Sequence, residues 1–148
     1  RYYNIMKLRE VMTNPVIRIH PEESVSVAAR ILEHYNIGAL PVCGGDGRMC
    51  GLVTDRDLVT RCLAAGKLAA ATAVREVMTA QVLTATPDME VSAAAGMMGR
   101  AQVRRLPVLE NGRLCGMVSL GDLSLKEESS IEAGDALTEI SSHLSSRY

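Results

Sequence analysis

Two carboxylates stand at matching places in this chain, each three residues after a hydroxyl side chain. The pairs are Thr54 with Asp57 and Ser119 with Asp122, and a short apolar run precedes each pair. This order is typical of a buried strand that continues into a helix whose first turn the hydroxyl caps. A carboxylate there stabilises the helix terminus, and it is also a strong hydrogen-bond acceptor for a ligand. The spacing alone therefore leaves a structural role and a binding role open.

Both pairs belong to a longer internal repeat. The segment Arg9–Thr13 (Arg-Glu-Val-Met-Thr) recurs letter for letter as Arg75–Thr79, an offset of 66 residues. After a one-residue gap in a turn, an offset of 65 residues carries Gly51–Leu58 to Gly116–Leu123. The chain is therefore a tandem duplication of a unit of about 60 residues.

Each repeat predicts a short helical turn followed by the element order β-α-β-β-α, from its apolar periodicity and turn residues. In the first repeat the predicted elements are Leu8–Met12, Val16–Ile19, Ser24–Tyr35, Ala39–Cys43, Met49–Val53 and Asp55–Ala65. In the second they are Val74–Met78, Val82–Ala85, Asp88–Arg100, Leu106–Leu109, Leu114–Val118 and Leu120–Leu125. The Asn111-Gly112 pair between the last two strands is a strong hairpin signal.

The predicted fold class is α+β (mixed α/β), with two repeat units and a tail. The predicted segments are a first unit at 8–65, a linker at 66–73, a second unit at 74–125 and a tail at 126–148. In the tail, four apolar residues fall on one helical stripe: Ala133, Leu137, Ile140 and Leu144. This stripe predicts an amphipathic helix that caps the module or packs across a dimer.

Composition argues against several function classes. The formal net charge is −1 and only 3% of the residues are aromatic, which disfavours nucleic acid as the main partner. No apolar run approaches the ~20 residues that span a bilayer, and no signal peptide is recognised, so we expect a soluble cytoplasmic protein without a membrane partner. Phosphate-loop, zinc-protease and hydrolase motifs are lacking, so we expect no enzymatic activity.

The four cysteines form no Cys-x-x-Cys pair. We interpret Cys43, Cys50, Cys62 and Cys115 as small buried apolar residues in a reducing compartment, and we predict no metal site. Because Cys43 and Cys50 flank a predicted hairpin, a metal or oxidised pair stays open as an alternative.

The repeat resembles a tandem CBS-domain pair, the Bateman module, over roughly Leu8 to Leu125. The resemblance rests on Ile37–Val42 and Val103–Val108, each followed by a copy of the Gly-apolar-Val-[Thr/Ser]-x-x-Asp motif. The layout is similar to small stand-alone bacterial CBS-pair proteins. The resemblance implies two units packed with pseudo-two-fold symmetry. It also implies a homodimer whose contacts come from the helices predicted at Ser24–Tyr35 and Asp88–Arg100 and those after each motif.

The resemblance further implies adenosine-containing ligands, such as AMP, ADP, ATP, NAD or S-adenosylmethionine, in clefts between the units. They would be regulatory ligands, not catalytic cofactors. In the family motif Asp57 and Asp122 accept the ribose diol, and Thr54 and Ser119 donate to a ribose or phosphate oxygen. The implied adenine contacts are Asn14, Ile37, Ala39, Pro41, Ala80, Val103 and Pro107, and the implied phosphate contacts are Arg56, Arg104 and Arg105.

The two sites are expected to be chemically unequal. The second repeat has Arg104 and Arg105 where the first has Gly38 and Ala39, so we expect different occupancies and a preference for a phosphorylated ligand. The favoured hypothesis is a sensor of energy or metabolite state that a partner protein reads. The alternatives are a dimerising interaction protein without a nucleotide ligand, and a cysteine-based metal or redox sensor.

Overall fold

The computed structural model describes residues 6–124, so Leu125 and the predicted tail helix at 126–148 lie outside the described residues. The helices are α1 (Val25–Tyr35), α2 (Asp55–Asp57), which continues as a wider π-type turn (Leu58–Leu63), α3 (Val91–Ala101) and α4 (Leu120–Ser124). The strands are β1 (Ala39–Cys43), β2 (Met49–Thr54), β3 (Arg105–Glu110) and β4 (Arg113–Ser119). Single 3-10 turns lie at Leu8–Glu10, Ala69–Ala71 and Val74–Glu76. No helix in this range is long and apolar enough to cross a membrane.

The strands form two hairpins, as the sequence predicts. In the first, β1 and β2 pair antiparallel from Ala39 opposite Thr54 to Val42 opposite Gly51. In the second, β3 and β4 pair across the Asn111-Gly112 turn. Both turn residues have positive φ (56° and 80°), which Asn and Gly adopt at low cost and which a tight hairpin turn requires.

The strand predicted at the start of each repeat is reduced to a single bridge, so those two predictions were wrong in length. Ile19 bridges Val42 in parallel, and Ala85 bridges Val108 in the same way. Cys43 and Leu109 donate the N–H groups that form these bridges, and a parallel ladder would next need an N–H from the residue two before each donor. That residue is Pro41 or Pro107, which has no N–H, so the predicted strands at 16–19 and 82–85 do not extend.

Each long helix has a local reason for its ends. The Ser24 hydroxyl accepts a hydrogen bond from the backbone N–H of Val27 (3.2 Å) and caps α1, and Asn36 ends it in the left-handed conformation. Helix α3, the long helix of the second repeat, begins at Val91, later than the predicted Asp88. The Asp88 side chain is bound instead by the Arg9 guanidinium (2.6 Å), which lowers the pKa of that carboxyl.

The described residues form two compact units that do not coincide with the two repeats. One unit contains 6–16, 83–111 and 115–124, and the other contains 17–82 and 112–114. Each has its own core, one around Met98 and Leu106 and one around Leu32 and Leu40. The opening segment of the first repeat therefore belongs to the unit that holds most of the second repeat. The predicted boundaries 8–65 and 74–125 describe the repeats.

The repeated Arg-Glu-Val-Met-Thr segment forms equivalent contacts in both units. Its arginines pair with acidic side chains, Arg9 with Asp88 (2.6 Å) and Arg75 with Glu22 (3.0 Å). Its glutamates accept backbone N–H groups three residues back, at 2.8 Å in both copies. Its valines are buried. Its threonines bridge the strands, Thr13 opposite Met117 and Thr79 opposite Leu52.

The methionine of the repeated segment explains why the strand–helix motif begins with a glycine. A Cβ atom placed on Gly51 would lie 2.6 Å from Sδ of Met78 and 2.8 Å from the backbone oxygen of Thr79. Gly116 is equivalent, because its Cβ would lie 2.8 Å from Cγ of Met12. The opening segment thus passes so closely over β2 or β4 that only glycine fits below it.

We predict that Gly51→Ala lowers the free energy of unfolding by roughly 1–3 kcal/mol, because backbone as well as side chain must move to admit the methyl group. Urea denaturation followed by circular dichroism measures the loss. The matched control is Gly45→Ala, because a Cβ there meets nothing within 4 Å and its backbone is not left-handed. Equal stability of the two variants would contradict the close passage.

Candidate functional site

The junction between β2 and α2 is closed by a reciprocal pair of hydrogen bonds. The Thr54 hydroxyl accepts the N–H of Asp57 (3.1 Å), and Oδ2 of Asp57 accepts the N–H of Thr54 (2.9 Å). This is a capping box, with aspartate in the place where glutamate is more common. The structural role left open by the sequence is therefore present.

The junction between β4 and α4 has the same arrangement. The Ser119 hydroxyl accepts the N–H of Asp122 (3.1 Å), and Oδ2 of Asp122 accepts the N–H of Ser119 (3.0 Å). Each box engages one carboxylate oxygen and leaves Oδ1 outside it. A carboxylate oxygen accepts more than one hydrogen bond, so capping and ligand binding are compatible in one side chain.

The first residues of β1 lie beside the β2–α2 junction. Ala39 pairs with Thr54, and the N–H of Asp55 donates to the carbonyl of Gly38 (3.1 Å). At the other junction the N–H of Leu120 donates in the same way to the carbonyl of Arg104 (3.0 Å). The structure thus brings the start of each hairpin to the strand–helix junction that holds its capped carboxylate.

The two junctions differ in charge. Arg104 and Arg105 are both exposed beside the β4–α4 junction. Their counterparts at the β2–α2 junction, Gly38 and Ala39, carry no charge, and the nearest predicted cation there is the exposed Arg56. The exposed cationic side chains therefore differ between the two junctions.

The residues predicted to contact adenine fall into three groups by exposure and position. Ile37 is 37% exposed and Val103 is half-buried, so both have surface beside a junction. Asn14 and Ala80 are exposed, and each directly follows a threonine that bridges the strand of a motif glycine. The remaining predicted contacts are buried inside their units: Ala39, Pro41 and Pro107.

One residue near the β2–α2 junction was missed by the sequence reasoning. Nε of Arg61 lies 3.8 Å from Oδ1 of Asp57, the oxygen that the capping box does not use. The Asp57 side chain is only 13% exposed, whereas that of Arg61 is 51% exposed. The i, i+4 spacing of an acid and a base on one helix was the available signal.

The four cysteines differ in their exposure to solvent. Cys43 and Cys62 are buried and Cys115 is half-buried, but Cys50 is exposed, so the expectation of burial was wrong for Cys50; all four are free. Burial raises the pKa of the Cys43, Cys50 and Cys115 thiols, which favours the neutral form over the reactive thiolate. Within residues 6–124 no three His, Cys, Asp or Glu side chains form a group that could hold a metal ion.

These features define a pair of duplicated strand–helix domains, each with a capped carboxylate at the end of its hairpin. The family profile of the CBS domain matches residues 8–64 and 74–126. The chain is also 37% identical over 134 residues to the CBS domain-containing protein YhcV of Bacillus subtilis (strain 168), which covers 90% of this chain and 94% of that protein. The chain belongs to the CBS-domain family.

Solved structures that resemble this one include two that hold bound ligands or ions. The CBS domain pair of protein MJ0100, in complex with 5′-methylthioadenosine and S-adenosyl-L-methionine, has a TM-score of 0.73 and 30% identity, covering 82% of this chain and 95% of that one. Hypoxic Response Protein I with two coordinated zinc ions has a TM-score of 0.75 and 32% identity, covering 81% and 98%.

Proposed function

We propose that this protein is a non-catalytic regulatory module that binds adenosine-containing ligands at its two capped carboxylates. The observation that carries the proposal is that the two oxygens of each carboxylate have different surroundings. One oxygen, Oδ2, closes the capping box, and the other, Oδ1, lies outside it on a rigid strand–helix junction. A ribose diol presents two hydroxyl donors to such an acceptor.

The comparisons support the ligand class. The CBS domain pair of protein MJ0100 is complexed with two molecules that each contain an adenosine group. At 30% identity over 82% of this chain, the likeness extends beyond the fold to the sequence. The proposal carries the ligand class over to this protein, and AMP, ATP, NAD and S-adenosylmethionine are the candidates.

Within the proposal the side chains have distinct roles. Asp57 and Asp122 accept the ribose hydroxyls, and Thr54 and Ser119 position those carboxylates through the caps and donate their hydroxyl protons to ligand oxygens. The remaining contacts follow from exposure and charge. The base meets Ile37, Asn14, Ala80 and Val103, and the phosphates meet Arg56, Arg104 and Arg105.

The ligand acts by differential affinity. If it binds one packing of the protein more tightly than another, its presence shifts the balance between them, and a partner protein reads the result. Because Arg104 and Arg105 begin the hairpin at the Asp122 junction and correspond to the uncharged Gly38 and Ala39 at the Asp57 junction, a phosphorylated ligand fills the Asp122 site at lower concentration.

Substitution of the carboxylates by asparagine tests the proposal. Asparagine keeps one oxygen for the cap but replaces the other acceptor by an NH₂ donor, which opposes a hydroxyl donor. We predict that Asp57→Asn and Asp122→Asn each remove or weaken one AMP site by about tenfold or more in isothermal titration calorimetry, since a hydrogen bond to a charged group contributes about 1.5–3 kcal/mol.

The matched control is Asp55→Asn in the same helical turn, because Asp55 is exposed and its Oδ1 only accepts the N–H of Arg56 (2.8 Å). This variant is expected to bind AMP as the wild type does. AMP, ATP, NAD and S-adenosylmethionine are titrated in parallel. Wild-type binding in both Asp57→Asn and Asp122→Asn would refute the site assignment.

We also propose that a second copy of the chain covers the outer face of α1. A groove of about 390 Å³ lies there, lined by Val27, Arg30, Ile31, Glu33, His34 and Tyr35. Tyr35 is 51% exposed, which is unusual for a large ring on an apolar face. A two-fold axis through this groove would set Arg30 of each copy opposite Glu33 of the other, so the face is self-complementary in charge.

We predict that Tyr35→Glu shifts the protein from dimer to monomer in sedimentation velocity runs. The control is Ala29→Glu, which adds the same charge to an exposed position of α1 that does not line the groove. The control is expected to remain a dimer. A Tyr35→Glu variant that also remains a dimer would show that the copies meet elsewhere.

A further inference from the structure

Arg61 joins two parts of one unit that are distant in sequence. Its Nε faces Oδ1 of Asp57 at 3.8 Å, and its Nη1 donates to the backbone oxygens of Met78 (3.1 Å) and Val77 (3.4 Å). One guanidinium therefore connects the capped carboxylate to the opening segment of the second repeat. All four residues lie in the unit formed by 17–82 and 112–114.

The contact with Arg61 does not use the hydrogen-bonding capacity of Oδ1 of Asp57. At 3.8 Å, the contact between Nε and Oδ1 is an ion pair without a direct hydrogen bond. The charge of Arg61 thus orients the Asp57 carboxylate without occupying the lone pairs of Oδ1. Oδ2 is fixed by the N–H of Thr54 at 2.9 Å, so the side chain is held at both oxygens and a diol meets a preorganised acceptor.

The geometry at the other end makes the connection mechanical. The carbonyls of Val77 and Met78 immediately precede Thr79, which exchanges two backbone hydrogen bonds of 2.9 Å with Leu52 of β2. Met78 also lies directly over Gly51. A displacement of the guanidinium therefore also displaces the segment Val77–Thr79, which crosses β2.

The planar fork of arginine is what this connection requires. Nε and Nη1 point to different partners in fixed directions, whereas a lysine ammonium is a single point charge. The 65-residue offset of the repeat places Lys126 at the position that corresponds to Arg61. The sequence thus has an arginine four residues after Asp57 and a lysine four residues after Asp122.

We propose that Arg61 is a positioning residue that couples ligand binding at Asp57 to the segment Val77–Thr79. This rests on the proposed function of Asp57 as a ribose acceptor and adds the route by which that site is read. Coupling between a ligand and a segment is reciprocal. Arg61 therefore strengthens ligand binding, and bound ligand strengthens the attachment of the segment to β2.

The test uses AMP as the probe on the wild type and on Arg61→Ala, Arg61→Lys, Asp57→Asn and the double variant Arg61→Ala/Asp57→Asn. Calorimetry measures AMP affinity, and amide hydrogen exchange measures protection at Met78 and Thr79. We expect Arg61→Ala to weaken AMP at the Asp57 site about two- to tenfold. The double variant is expected to bind no more weakly than Asp57→Asn alone, because the two side chains act as one unit.

The hydrogen-exchange measurement separates coupling from simple stabilisation. AMP is expected to slow exchange at Met78 and Thr79 in the wild type and to leave it unchanged in Arg61→Ala. Arg61→Lys restores the charge but not the fork, so it is expected to bind AMP with an affinity between those of the wild type and Arg61→Ala and still to lack the protection.

The outcomes separate the two proposals. If the wild type binds AMP, Asp57→Asn weakens it and Arg61→Ala matches the wild type in affinity and protection, then the coupling role of Arg61 is wrong and the proposed function stands. If AMP protects Met78 and Thr79 in Arg61→Lys as much as in the wild type, the role of the planar guanidinium is likewise wrong. If the wild type binds none of AMP, ATP, NAD or S-adenosylmethionine, the proposed function itself fails.

Discussion

The close passage of an opening segment over a strand glycine is the constraint on which the rest of the structure depends. Met78 and Thr79 lie so near Gly51 that a methyl group would meet both, and Met12 lies in the same way over Gly116. Each crossing fixes the end of a hairpin against a segment from the other repeat. Neither repeat completes a unit by itself, so folding of the pair requires both copies of the sequence.

The Gly-apolar-Val-[Thr/Ser]-x-x-Asp motif is largely explained by the fold before any ligand is considered. The glycine admits the crossing segment, the valines at 53 and 118 are buried, and the hydroxyl and carboxylate close the capping box. In our proposal, function is added to this framework at one atom, Oδ1 of each aspartate. The cap holds that oxygen in place, so the same hydrogen bonds that stabilise the helix preorganise the acceptor.

How far the sequence predicted the structure depended on whether the information was local. The hairpins, the helix after Ser24 and the two junctions follow from residues that are neighbours in sequence, and all were predicted. The short length of the first strand in each repeat was not predicted, because it depends on a residue of the partner strand. That residue is Pro41 or Pro107, which has no N–H to donate. Periodicity shows which face of a segment is buried but not against which neighbour. The sequence could therefore not predict that the opening segment of each repeat belongs to the unit that holds most of the other repeat.

The same reasoning explains which site residues the sequence found. Asp57 and Asp122 stood out because their motif is duplicated, and their local caps confirm the strand–helix junctions on which the prediction rested. Arg61 was missed because its spacing from Asp57 is common on helices and carries little meaning alone. Its importance comes from the carbonyls of Val77 and Met78, which are brought to it only by the fold.

The central claim is that a carboxylate oxygen outside the capping box accepts a ribose hydroxyl. The most direct measurement compares the affinities of AMP and 2′-deoxy-AMP for the wild type and for the Asp57→Asn/Asp122→Asn variant. Our account predicts that the wild type binds AMP about tenfold or more tightly than the deoxy analogue, and that the variant discriminates between them by less than about twofold. Equal affinity of the wild type for the two ligands would contradict it.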